Sequence, residues 1–483
     1  MMRLRFTLRP ARPGVKTADA EDGGACPARA AVVRYRPTPM KALACRLYGE
    51  YDLRLEPIDL EPAGDDAVIV ELVSNSVCMS DYKAVSLGTK HRRVPKDIAT
   101  NPIMVGHEVC GIVREVGTRW RDQFHVGQRV GVQPAFNIPG RELETMGYAW
   151  PTMGGDTTHI RVPAIIIEQG CLLPYEGDGP FFACSLAEPV SCIVSALRTS
   201  YHNEFNSHVH RMGVRQDGTM LLLAGGGAMG LAAIDIACHN PESRPRRLVV
   251  TDLDEGRLAR AAQVFGLGPG TGGACASGRV GETEVHIVDA RGLADPVAAL
   301  KSFNLADDAR AGDATSTGGG YDDVLVFAAV PALIAQASAL LGFGGCLNFF
   351  AGPTDQGFTA PFNFYGVHYL GHHCVGSSGG DVKDMADSID WISRGILHPE
   401  VMVTHVGGLD SAAEATATLP KVPGGKRLVY THLSLPMTPI ADFARLGETD
   451  PMFAELARIC EAHRGLWSRE AEDFLLARAP KLA

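Results

Sequence analysis

The stretch MLLLAGGGAMGLAAIDIACH, residues 220–239, decides the fold. An apolar run ends on Ala224, the glycine-rich run Gly225-Gly226-Gly227-Ala228-Met229-Gly230 follows, and a helical pattern occupies 231–239. A strand that ends in G-x-G-x-x-G and opens a helix is the arrangement that cradles a dinucleotide pyrophosphate. Gly225 makes the tight turn, Gly227 lets backbone approach the pyrophosphate, and Gly230 lets helix and strand pack closely, while the helix N-terminus favours the diphosphate charge. Gly225, Gly227, Met229 and Gly230 are therefore the candidate cofactor-binding residues of this loop, against the plainer reading of a tight strand–helix turn.

Working outward, the next strand, LVVTD, ends in Asp252. It follows Gly230 at about the 20-residue spacing expected of a carboxylate that accepts from the adenosine ribose 2′-OH. A carboxylate there repels a 2′-phosphate, so NAD(H) is expected over NADP(H), with Arg257 and Arg260 as the nearby cations that soften the preference. Strand–helix alternation continues through VHIVD, VLVFAA and CLNFFAG, the signature of a parallel sheet covered by helices. Residues 266–320 break the pattern with glycine-rich runs and are expected as long surface loops around one or two elements. Beyond Gly380 the pattern gives a helix (VKDMADSIDWIS), a strand (VMVTHV), a helix, a strand (KRLVYTHL) and a helical tail.

Upstream, residues 68–162 read as short β runs punctuated by glycine and proline, which predicts a compact, mostly β domain. A helical segment (VSCIVSALRTSYH) leads from it toward the glycine loop, and His202, His208 and His210 are expected as solvated loop residues. Residues 1–39 mix arginine, proline, alanine and glycine without periodicity and are expected to be a disordered N-terminal extension. Arg3, Arg5, Arg9 and Arg12 interrupt the place where a secretory peptide needs an apolar core. The 483 residues, 46% hydrophobic and 21% charged, suffice for a large core and two or three domains. A net charge of -10 argues against an extended nucleic-acid or anionic-membrane face, and no apolar run is long enough for a span. None of the 12 cysteines forms a C-x-x-C pair, which suits reduced cytoplasmic thiols and excludes a multi-cysteine zinc knot.

A second constellation carries the chemistry: Cys78 in SVCMSD, His107-Glu108 in MVGHEVCG, and Glu188 in SLAEPVSC. A thiolate, an imidazole and a carboxylate are the ligands that hold tetrahedral zinc with one open position. Each also has an ordinary reading: Cys78 as core, His107 as a satisfied turn residue, Glu188 as a helix N-terminal charge. Their order ahead of a dinucleotide loop favours the metal.

V-C-M-S-D, G-H-E, A-E-P and the later G-G-G-A-M-G together resemble the zinc-binding medium-chain alcohol dehydrogenases over about residues 40–435. The resemblance implies an α/β fold: a GroES-like, mostly β catalytic domain (40–192, returning at 381–483 with the tail) and a Rossmann, doubly wound parallel-sheet coenzyme domain (193–380). It implies that Cys78 and His107 bind zinc, that Glu108 and Glu188 share or alternate at the third position, that Ser80 is a proton-relay hydroxyl, and that Asp81 orients the histidine. FNIPGRELETMGYAWPTMGGD has no cysteine where many members carry a structural-zinc lobe, so one catalytic zinc per chain is expected. A homodimer or homotetramer is expected too. Met79 replaces the glycine that usually follows the zinc cysteine.

GTKHRRVP, SLAEPVSCI, HRMGV, CLNFFAGPTDQGF, PFNFYGVHY, VTHVGGLD and IADFARLGETDPMFAELA resemble, more narrowly, the bacterial L-sorbose-1-phosphate reductases. That likeness implies interconversion of L-sorbose 1-phosphate and D-glucitol 6-phosphate, with an unphosphorylated polyol as the alternative. Lys83, Lys90, His91, Arg92 and Arg93 bring cations into the segment between the zinc cysteine and histidine, and Lys83, Arg92 and Arg93 are the candidate phosphate ligands; a solvated basic loop is the alternative. Two rivals come from other classes. Gly376-Ser377-Ser378-Gly379-Gly380 fits a serine-hydrolase elbow with Asp381, Asp384 and His405 downstream, and the glycine loop alone would suit a non-catalytic NAD-binding protein.

Overall fold

Along the strand Thr219–Leu223 the side chains alternate between two buried faces. Leu221 and Leu223 pack with Val249, Val324 and Val326 against Ile334 and Leu340. Met220 and Leu222 pack with Leu248 and Val250 against Leu231 and Ile234. A strand buried on both faces belongs in a parallel sheet sandwiched by helices. The structure, a computed structural model, describes residues 39–203, 207–305 and 318–482. The expectation for the N-terminal extension lies outside the described residues, Pro39 apart.

The parallel strands run in the order Thr283–Asp289, Arg247–Asp252, Thr219–Leu223, Tyr321–Val326, Leu341–Phe349, His373–Val375. Chain order therefore reverses direction at Thr219–Leu223, the switch point outside which a doubly wound sheet leaves a crevice at its C-terminal edge. The glycine loop occupies that point and leads into the helix Ala228–His239. A Cβ on Gly230 would lie 1.9 Å from the Gly225 carbonyl oxygen, whereas one on Gly227 would meet nothing within 4 Å. Gly230 thus serves packing, and Gly227 keeps the approach to the loop open. Gly230→Ala is expected to destabilise the fold by about 1–3 kcal/mol, the cost of overpacking, read as a lowered midpoint of thermal unfolding.

A second sheet has the order Thr438–Pro439, Val403–Gly408, Lys426–Tyr430, Ala67–Ser76, Val109–Val116, Arg129–Val132, Leu172–Pro174, with His159–Pro163 also paired to Ala67–Ser76. Val68, Val70, Leu72, Val109, Val113 and Val130 fill its core. The segment beyond Gly380 thus returns to the β part, as Lys426–Tyr430 pairs antiparallel with Ala67–Ser76. The helical tail consists of Phe443–Leu446, Pro451–Ala462 and Arg469–Arg478.

Two expectations need correction. The glycine-rich stretch after residue 266 holds more than one or two elements: Gly268–Pro269 and Ala276–Val280 form an antiparallel ribbon on the sheet edge beside Thr283–Asp289, and the helix Pro296–Lys301 follows, while residues 306–317 of the expected loop lie outside the described residues. Cross-strand pairing supplies the order that local periodicity lacks. His202 is also not solvated, being buried with Nδ1 2.9 Å from the Gly344 carbonyl and Nε2 3.1 Å from Asp323. His208 and His210 are exposed, although His210 lies in the short strand His210–Met212.

Candidate active site

Cys78 caps the helix Met79–Leu87 in extended backbone conformation, and its amide donates to Asp81 Oδ2 at 3.0 Å. The other oxygen of Asp81 accepts from His107 Nδ1 at 2.7 Å. One buried carboxylate therefore fixes the turn that presents the thiol and the imidazole tautomer, leaving His107 Nε2 as the ligand atom. Burial by itself lowers the pKa of His107, but Asp81 and Tyr148 outweigh it and hold the imidazole well above its ordinary value. Ser80 Oγ lies 3.0 Å from Cys78 Sγ.

Glu108 is fully buried, and its two oxygens are bonded to Lys426 Nζ and Ser76 Oγ. Ligand atoms of Cys78, His107 and Glu108 lie within 4.8 Å of one another. Glu188, in the first turn of Ala187–Thr199, accepts a weak bond from Cys192 Sγ at 3.8 Å. Burial, countered by His107 and reinforced by Glu108, pushes the pKa of Glu188 up to about 7. Lys426 is buried too; desolvation lowers its pKa, but Glu108 and Cys78 outweigh that and hold it above its ordinary value. This donor set fits a divalent metal of the zinc kind: soft thiolate, oriented imidazole, and carboxylates of which one is already in the cluster. Another group, Asp235, His239 and His398, has both imidazole Nδ1 atoms 3.0 Å from one Asp235 oxygen, an arrangement satisfied by its own hydrogen bonds.

Both constellations open into one cleft of about 970 Å³, lined by Cys78, Ser80, His107, Glu108 and Glu188 on one side and by Gly227, Met229, Gly230 and Arg257 on the other. Gly225, which opens the loop, and Asp252 are not among the residues lining the cleft. Asp252 Oδ2 accepts from the Gly226 amide at 2.9 Å, and Oδ1 accepts from the Leu253 and Asp254 amides. Lys83 and Arg93 also line the cleft, whereas Arg92 is exposed and lies outside it. Lys83 Nζ donates across the cleft to the Gly352 carbonyl at 3.0 Å. Arg93 stacks over Tyr148 at 5.5 Å, and its buried Nε has no hydrogen-bond partner among the described residues.

Ser378 lies in the same cleft. The acids of the hydrolase reading are engaged elsewhere: Asp381 and Asp384 cap the helix Val382–Ser393 reciprocally, and Asp384 also pairs with Arg198. His405 Nδ1 is bonded to Thr404 at 2.8 Å. Sequence reading missed Ser76, Tyr148 and Lys426. Lys426 lies 318 residues from Glu108 along the chain. Two charged residues, Lys426 and Arg427, opening the strand KRLVY were the available signal.

Comparison with known proteins places this geometry among its relatives. Residues 64–171 match the alcohol dehydrogenase GroES-like domain. The chain is 44% identical over 434 residues to mannitol-1-phosphate 5-dehydrogenase of Aliivibrio fischeri, covering 90% of this chain and 97% of that one. It is 41% identical over 437 residues to L-sorbose 1-phosphate reductase of Klebsiella pneumoniae, again covering 90% and 97%. Among solved structures, 2R,3R-butanediol dehydrogenase from Bacillus subtilis superposes with a TM-score of 0.62 at 21% identity, covering 81% of this chain and 99% of that one. No helix among the described residues is long and apolar enough to cross a membrane.

Proposed function

The chain belongs to the zinc-dependent medium-chain alcohol dehydrogenase family, and from that premise we propose that it moves a hydride between a nicotinamide cofactor and a sugar phosphate or polyol phosphate. The supporting observation is the single cleft lined by both the Cys78, His107, Glu108 cluster and the Gly227–Gly230 loop. L-sorbose 1-phosphate and D-glucitol 6-phosphate are our first substrate pair, and the relative named for mannitol 1-phosphate keeps the reading within phosphorylated hexitols. We assign 40–192 and 381–483 to the catalytic part and 193–380 to the coenzyme part, in a cytoplasmic homodimer or homotetramer.

Cys78, His107 and one glutamate would hold one zinc per chain, with Glu108 nearer and Glu188 available to alternate. Zinc bound there supplies a Lewis acid for the substrate oxygen and lowers the pKa of a bound alcohol or water. Asp81 keeps His107 in the ligating tautomer. Ser80, beside Cys78, carries a proton between the substrate hydroxyl and solvent. Lys426 pairs with Glu108 and holds its carboxylate in place beside Cys78 and His107. Gly225, Gly227, Met229 and Gly230 bind the cofactor diphosphate through backbone amides.

Asp252 sits directly under this loop, where its charge disfavours a 2′-phosphate. NADH is therefore expected over NADPH despite Arg257 in the cleft. Asp252→Asn, which keeps the shape and removes the charge, should narrow the ratio of kcat/KM for the two cofactors. A wild-type preference for NADPH would show that another residue reads the ribose. Screening phosphorylated and free hexitols with both cofactors tests the function itself, and turnover confined to unphosphorylated polyols would refute the substrate class.

A further inference from the structure

The last helix of the C-terminal tail carries a buried carboxyl group that belongs to none of the machinery above. Glu472, in Arg469–Arg478, is fully buried. It accepts from the Phe181 amide at 2.6 Å, the Phe182 amide at 2.8 Å and the Tyr430 hydroxyl at 3.0 Å. Tyr430 in turn accepts from Trp467 Nε1 at 2.8 Å. All three donors to Glu472 are neutral, and burial pushes its pKa up to about 7. A buried charge with no cation on it is costly, and well-packed apolar residues would give stability more cheaply. Its position indicates what it is for.

The helix Phe181–Ser185 has Pro180 at its cap, which makes no side-chain cap hydrogen bond. The tail supplies that cap from 290 residues away. Only Leu186 separates this helix from Ala187–Thr199, whose first turn carries Glu188, so the capped end and Glu188 are close along the chain. The third donor, Tyr430, ends the strand Lys426–Tyr430, whose first residue holds Glu108. Strand alternation puts Lys426 and Tyr430 on the same face, about 13 Å apart.

We propose that Glu472 is a positioning residue for the metal centre: its single carboxylate fixes both the helix that presents Glu188 and the strand that presents Lys426 to Glu108. The inference rests on the zinc reading of Cys78 and His107. It makes the tail part of the site's geometry, acting through the two glutamates that share the third ligand position.

Cobalt(II) in place of zinc reports that geometry through its visible absorption, independently of turnover. Glu472→Gln keeps the shape but sets an amide NH₂ against one of the donors. At a temperature well below the variant's unfolding midpoint, its cobalt spectrum should shift and kcat should fall about 10- to 100-fold, the range for residues that orient metal ligands. KM for the nicotinamide cofactor should stay at the wild-type value. Tyr430→Phe, which removes one donor only, should shift the spectrum the same way by less, and it decides the matter if Glu472→Gln does not fold. Lower thermal stability with a wild-type cobalt spectrum and kcat would overturn the proposal and leave Glu472 a packing residue. A wild-type protein that takes up no cobalt would instead overturn the metal reading, and the inference with it.

Discussion

Cys78→Ala and His107→Ala should each empty the metal site and lower kcat/KM by about three decades, while the cofactor still binds. The size follows from losing Lewis-acid stabilisation of several kcal/mol at ~1.4 kcal/mol per decade. Cofactor binding survives because its loop is built on Thr219–Leu223 and the helix Ala228–His239, whereas Cys78 and His107 are set by Asp81 and the second sheet. Metal analysis paired with a fluorescence titration of NADH separates the two effects. A zinc-free Cys78→Ala protein with full turnover would remove the metal assignment, and joint loss of zinc and cofactor binding would indicate unfolding.

Arg93→Ala should lower kcat/KM for a hexose phosphate by about one to two decades and leave the free sugar almost unchanged. A guanidinium binds phosphate through charge-assisted hydrogen bonds of roughly 1.5 to 3 kcal/mol each, converted to rates at about 1.4 kcal/mol per decade. Arg93 is preferred over its neighbour because it lines the cleft, stacks on Tyr148 and has a buried Nε with no partner among the described residues, whereas Arg92 is exposed. Lys83→Ala should act in the same direction but less, since its ammonium is shared with the Gly352 carbonyl. Steady-state kinetics on both substrates check this. Equal losses on sugar and sugar phosphate would return Arg93 to a packing role over Tyr148.

The parallel sheet was legible because strands buried on both faces write themselves as continuous apolar runs, and the glycine loop because Gly230 answers a steric demand while Gly227 leaves the approach to the loop open. Cys78, His107, Glu108, Ser80 and Asp81 were legible from short motifs whose side chains the structure brings together. What stayed hidden came from pairing distant in sequence. The ribbon 268–280 looked like loop because its register is set by a neighbouring strand. His202 looked solvated because its partner Asp323 lies 121 residues away. Lys426 stands beside Arg427 and Glu472 among the charged residues of REAEDFLLAR, so a one-dimensional pattern marks both as surface; their partners Glu108, Phe181 and Phe182 become visible only in three dimensions.

The proposed function requires a single zinc at Cys78 and His107 for turnover of a sugar phosphate. Chelating the wild-type enzyme to the metal-free state and titrating zinc back, with NADH oxidation by L-sorbose 1-phosphate followed at each addition, tests that claim most directly. No activity at the start and a linear rise that breaks at one zinc per chain are expected. Turnover that persists in the metal-free protein, or that never returns with zinc, would contradict it.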